Sequence, residues 1–348
     1  MLYPLKFKPR YVEKIWGGRK LETVLKKELP AGKPIGESWE IYDFPPGVCD
    51  DSGNWTSAAV ANGPLAGRTL HQLVEQFGDD LLGNVDTVGS HGQFPILIKF
   101  LDAKEDLSVQ VHPDEAYAAS HPGAHLKTEA WYVVESDPGS RIYKGLKPGA
   151  TREAFKAAIE QGTCEAMLTA IPTRAGQCFF LRSGTVHALG AGILVAEVQT
   201  PSDTTYRVYD FNRVEPSTGK PRQLHVEQAL ECIDFSSAAA GGAAPAPEER
   251  RSHVAGFFTT VTKLCASDYF TIEKVRFTQG VEEPVPYDQP VVWMILQGEA
   301  EVRADGVKEP TTLKRGDTVL LPARMKNPVL KTVTDCVWLE VTFPTRKG

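Results

Sequence analysis

Leu107-Ser-Val-Gln-Val-His112 is the stretch on which the reading of this chain turns. Side chains alternate between the two faces of an extended strand, so Ser108, Gln110 and His112 are predicted on one face and Leu107, Val109 and Val111 on the other. One polar face and one apolar face describe a strand with core behind it and a site in front. Glu129 follows His112 by seventeen residues, and His187 lies further on. Gln110, His112, Glu129 and His187 together offer an amide oxygen, two imidazoles and a carboxylate, a donor set suited to a divalent metal with room left for water or a ligand.

Working outward, short apolar runs broken by Gly, Pro, Asp and Asn predict strands over 94–101, 130–134, 177–181, 193–198 and 206–209. Helical spacing is confined to 69–77, 114–119, 151–161 with a Thr cap, and 225–232. The small residues and prolines of 236–250 cannot supply core and read as a flexible linker, which divides the chain into a first domain over 1–235 and a second over 251–348. The second part predicts strands over 270–277, 291–296, 300–303, 318–321 and 337–343, with no helix. The expectation is a mainly β protein with a few peripheral helices.

At 348 residues and 42% hydrophobic, the chain is long enough for two domains with substantial cores. A net charge of -6 with mixed signs and no basic block argues against nucleic acid or an anionic membrane surface as partner. The first residues lack the apolar segment of a signal peptide, and no apolar run reaches the roughly 18 residues of a membrane span, so the expected location is cytoplasmic. The six cysteines are scattered without a Cys-x-x-Cys pair and read as reduced thiols.

In the second part, Leu296-Gln-Gly-Glu-Ala-Glu-Val and Leu313-Lys-Arg-Gly-Asp-Thr-Val-Leu-Leu-Pro-Ala resemble a cupin, a double-stranded jelly roll. Its only histidine, His253, lies beside the linker, so this domain is expected to be metal-free. In the first part, Arg182-Ser-Gly-Thr-Val-His187 has the Gly-x-x-His spacing of the second cupin motif, and Gln110-Val-His112 stands where His-x-His is usual. The order Gln-x-His, Glu, distant His resembles the type I mannose-6-phosphate isomerase (phosphomannose isomerase) family. Also carrying the resemblance are Trp16-Gly-Gly, Gly36-Glu-Ser-Trp-Glu40, the run from Pro95 to Ala103, Lys127-Thr-Glu-Ala-Trp-Tyr132 and the run from Glu197 to Asp210. The short segment between Val134 and His187 matches the compact bacterial form.

The resemblance implies two cupin barrels and an aldose–ketose isomerase that interconverts D-mannose 6-phosphate and D-fructose 6-phosphate through an enediol(ate), assisted by one zinc ion per chain. It implies zinc on Gln110, His112, Glu129 and His187 and a catalytic role for Arg207; Lys127, two residues before Glu129 and on the same face if that segment is extended, is the second catalytic candidate. Ser108, Lys99 and Asp203 are the candidate substrate contacts, Lys99 because a lysine inside an apolar strand needs a partner. The proton-transfer base stays open among Lys127, Asp203, a zinc-bound water and a ligand histidine. A sugar phosphate is the expected partner, with the chain a monomer or a homodimer. Two histidines and a carboxylate also suit a non-haem iron oxygenase, and a sugar-sensing cupin is the non-enzymatic alternative. His121 and His125 read as a loop over the site mouth. Glu37 and Glu40 are divided between substrate contact and structural pairing, and Trp16 reads as an aromatic packed at a turn.

Overall fold

The computed structural model describes residues 1–48, 55–215, 218–236 and 252–346. Four larger sheets form its frame. A six-stranded sheet runs in the order Cys178–Leu181, Glu129–Ser136, Ile193–Gln199, Leu97–Ala103, Arg10–Gly18, Ile35–Ile41. Facing it is a five-stranded sheet ordered Leu168–Pro172, Arg141–Leu146, His187–Leu189, Val109–Val111, Tyr206–Tyr209. The C-terminal half pairs a seven-stranded sheet, ordered Leu5–Lys6, Thr318–Leu321, Val291–Gln297, Cys336–Thr342, Thr271–Phe277, Thr259–Ala266, Ser252–Ala255, with a four-stranded one. No helix among the described residues is long and apolar enough to cross a membrane.

The alternation of each strand assigns its two faces to different layers. Along Ile193–Gln199, Leu194, Ala196 and Val198 join a core shared with Val292, Met294, Leu339 and Val341, so the two largest sheets pack back to back. The intervening Ile193 and Val195 face inward with Trp16, Leu101 and Trp131, toward Ile142 and Leu189 of the five-stranded sheet. The outer face of that smaller sheet, with Val109, Val111, Ala188 and Val208, is covered by helices Arg152–Glu160 and Val226–Cys232 through Phe155, Ile159, Ala229 and Leu230. Inside the C-terminal pair of sheets lie Val275, Trp293, Ile295, Leu313, Leu330 and Trp338.

The predicted helices are present, three of them with the side-chain caps that their first residues suggest; Asp114 Oδ1 accepts from Tyr117 N at 2.8 Å. Thr151 Oγ1 accepts from Ala154 N at 3.2 Å, and Thr69 forms a reciprocal capping box with Gln72. Several expectations need correction. Each half pairs a large sheet with a smaller one, and no closed barrel forms among the described residues. Leu107 precedes the three-residue strand Val109–Val111 and packs inward with Trp16 and Leu101, because its N–H bonds Leu189 O outside the regular ladder. Trp16 lies within strand Arg10–Gly18, not at a turn. His253 lies within the edge strand Ser252–Ala255. The N-terminal strand Leu5–Lys6 pairs with Thr318–Leu321 across the two halves, fixed by Lys6–Asp317 at 2.8 Å. Of the proposed linker, 237–250 lies outside the described residues.

Candidate metal centre and its cavity

Sheet register brings distant residues into rows. On the five-stranded sheet His187 pairs with Gln110, and Gln110 with Arg207, so the three side chains share the inward face. On the six-stranded sheet Trp39, Lys99, Glu197 and Trp131 form a second row. Glu129 opens its strand beside Gln199, and His112 follows directly on Val111.

His112, Glu129 and His187 are buried and offer ligand atoms within 4.8 Å of one another. His187 Nε2 lies 3.2 Å from Glu129 Oε1, and His112 Nε2 lies 3.4 Å from Glu129 Oε2. The opposite ring nitrogens settle the tautomers. His112 Nδ1 is 3.1 Å from Thr204 O and His187 Nδ1 is 2.8 Å from Thr185 O. A carbonyl oxygen only accepts, so each Nδ1 carries the proton and each Nε2 turns a lone pair inward. Burial, joined by the charge of Lys127 and opposed by Glu129, lowers His112 to about 3, so its imidazole is neutral. Burial raises the Glu129 carboxyl, but the adjacent Lys127 ammonium opposes this and the group is held well below the ordinary value. Lone pairs therefore face a carboxylate with no proton between them, and His112 Nε2 and both Glu129 oxygens lack hydrogen-bond partners. A buried cluster of acceptors is costly unless a cation completes it, and two imidazoles with one carboxylate fit a divalent metal. Gln110 Nε2 is 3.4 Å from His187 Nε2; a flip of the amide turns its oxygen to the same centre.

Above this cluster lies a cavity of about 180 Å³ whose wall includes Gln110, Lys127, Ser108, Lys99, Asp203 and Arg207. Lys127 Nζ is 3.1 Å from Glu129 Oε2, so the residue two places before the carboxylate does share its space. Arg207 donates from Nε to Ser108 Oγ at 3.2 Å and from Nη1 to Gln223 O at 2.9 Å, which aims a fixed cation along the row. Asp203 is exposed at the rim. Lys99 is buried between Glu37 at 3.6 Å and Glu197 at 3.5 Å, with its ammonium 4.9 Å from the Trp39 ring centroid. Its pKa is raised: burial opposes the charge, but Glu37 and Glu197 more than compensate. A larger surface hollow of about 720 Å³ lies around Gly18, Lys20, Lys33 and Lys104, and none of the candidate site residues lines it.

The structure also places residues that sequence reasoning did not assign. Glu37 lines the cavity and pairs with Lys14 at 3.0 Å, whereas Glu40 turns away to Lys27 at 2.8 Å. Arg222 lines the wall while holding Asp210. Glu197, which accepts from Trp131 Nε1 at 2.7 Å, is the carboxylate answering Lys99. Its signal was its place in an otherwise apolar run; Arg222 had none. His121 stacks on Tyr117 with centroids 3.8 Å apart, and His125 lines a separate hollow, so neither joins the cavity wall.

Facing sheets with an acceptor cluster between them define a cupin-type protein whose donor set fits a metal. Residues 4–139 match the model of the phosphomannose isomerase type I catalytic domain. The chain is 36% identical to the mannose-6-phosphate isomerase of Streptococcus mutans serotype c, covering 94% of this chain and 95% of that relative. It is 33% identical to the mannose-6-phosphate isomerase ManA of Bacillus subtilis, over 96% and 98% of the two chains. The crystal structure of a Bacillus subtilis mannose 6-phosphate isomerase superposes with a TM-score of 0.81 at 29% identity, covering 98% of this chain and all of that one. The chain belongs to the type I phosphomannose isomerase family.

Proposed function

We propose that the chain interconverts D-mannose 6-phosphate and D-fructose 6-phosphate through an enediol(ate), with one zinc ion held by Gln110, His112, Glu129 and His187. Family membership supports the reaction, and the observation that carries the metal is the set of inward lone pairs facing a carboxylate whose oxygens accept no hydrogen bond. When bound, such an ion supplies Lewis acidity toward sugar oxygens. The wall of the cavity supplies the rest. Lys14, Lys99, Lys127, Arg207 and Arg222 outnumber Glu37, Glu197 and Asp203, which favours a dianionic phosphate.

The reaction moves a proton from C2 to C1 and a hydroxyl proton from O2 to O1, so atoms balance without a co-reactant. Negative charge gathers on O1 as C2 loses its proton. On this reading Lys127 holds a proton at that oxygen, and Arg207 stabilises the charge with a cation that does not titrate near neutral pH. The long contacts of Lys99 leave N–H donors for a substrate oxygen, beside Ser108 and Asp203. We place the protein in the cytoplasm. A coupled assay for fructose 6-phosphate, with chelated protein and then with zinc restored, tests the reading. Turnover lost and regained is expected; folded, zinc-loaded protein without turnover overturns it.

A further inference from the structure

The C-terminal half repeats a row of the N-terminal half with one charge reversed. Across the six-stranded sheet, Lys99, Glu197 and Trp131 are successive cross-strand partners. Across the seven-stranded sheet, the successive partners are Glu273, Glu340 and Trp293. In both rows an indole donates to the glutamate, Trp131 to Glu197 at 2.7 Å and Trp293 to Glu340 at 3.1 Å. Where the ammonium of Lys99 stands beside Glu197, the second row puts another carboxylate.

Glu340 is only 7% exposed. Its Oε2 accepts from Tyr287 at 2.6 Å, Trp293 at 3.1 Å and Trp338 at 3.4 Å, while Oε1 has no hydrogen-bond partner among the described residues. Glu273 and Glu340 line a cavity of about 300 Å³ with Phe277, Tyr287, Trp293 and Trp338, and no Lys, Arg or His lines it. The cation nearest in register is Lys263, opposite Glu273, and among the described residues the two form no ion pair. Two adjacent carboxylates without a counter-charge, one of them buried, are electrostatically incomplete. An aromatic wall beside them suits a cation carrying alkyl groups.

We propose that this cavity binds a small organic ammonium ion, whose charge sits between Glu273 and Glu340 as that of Lys99 sits beside Glu197, with its alkyl groups against the aromatic wall. The acidic lining rejects sugar phosphates, so this site is distinct in chemistry from the metal-centred cavity. A neutral hexose leaves the two charges uncompensated.

Calorimetric titration of the full chain with choline, and with dimethylbutanol as its uncharged carbon isostere, tests the proposal. Choline is expected to bind and dimethylbutanol to bind at least tenfold more weakly. Glu340→Gln and, independently, the less buried Glu273→Gln each weaken choline at least tenfold. Glu273→Lys, which rebuilds the N-terminal row, abolishes binding and raises the melting temperature. Equal binding of choline and isostere, binding of mannose in place of choline, choline binding unaffected by either glutamine variant, or no binding at all overturns it.

Discussion

The two halves use the same construction, a large sheet facing a smaller one, and line the space between them with opposite chemistry. The N-terminal half fills it with paired charges and a cluster of acceptors, Lys99 against Glu37 and Glu197, His112 and His187 against Glu129. The C-terminal half fills it with stacked aromatics, Phe277 on Trp338 at 5.3 Å and Trp338 near Trp293 at 4.9 Å, around one buried glutamate. Both retain the tryptophan–glutamate hydrogen bond at the same point of the row. The difference shows that the fold supplies inward positions, and that the residue types occupying them set the chemistry of each interior.

The sharpest way to break the contrast is to remove the carboxylate that both histidines face. Glu129→Ala leaves two facing lone pairs with no carboxylate between them, so bound metal and turnover should fall together, turnover by about 10²- to 10⁴-fold if the ion supplies the main stabilisation of charge. Elemental analysis and the coupled assay check both. In the other half, Glu340→Gln should leave turnover unchanged; an equal loss there would erase the distinction between a reacting and a non-reacting half.

The next largest effect concerns the reversed charge. Lys99→Met strips Glu37 and Glu197 of a shared buried partner, and breaking such a pair costs about 3–5 kcal/mol. The corresponding change in the C-terminal half, Glu273→Met, removes one of two like charges and should be neutral or stabilising. Denaturant melts of the two variants measure this directly. A loss of similar size in both would mean that Glu273 has a stabilising cation.

How much of this was legible depended on whether the signal was local. Gln110, His112, Glu129 and His187 could be picked out because their types and spacing stand out from apolar surroundings. Thr318–Leu321 and Tyr206–Tyr209 were legible as β-branched or aromatic runs between turns. Register between distant strands leaves no such trace. Nothing near Glu273 announces that it occupies the place of Lys99, and Arg222 enters the cavity only through a loop held on Asp210. Strands Arg141–Leu146 and Thr311–Lys314 escaped because charged and Thr-rich segments do not advertise a buried face, and the two-residue strand Leu5–Lys6 gains its partner from the far end of the chain.

The smallest expected effect separates the halves by the sign of their pH response. Glu37 has a lowered pKa: burial pushes it up, but Lys99 and Lys14 prevail. Its unfolded carboxyl binds a proton more readily than its folded one, so its contribution to stability is present above the ordinary value of 4.5 and is lost as pH falls below it. Glu340 is the reverse case. Burial raises its pKa against the hydrogen bonds of Tyr287, Trp338 and Trp293, so its contribution is full below 4.5 and declines as pH rises through the folded value. Melting temperatures followed from acid to neutral pH should therefore respond in opposite ways: Glu37→Gln removes part of the acid-side loss and lowers stability near neutrality, whereas Glu340→Gln removes a decline on the neutral side. If both substitutions shift the profile in the same direction, the two carboxylates share one electrostatic setting, and the C-terminal row has a counter-charge of its own.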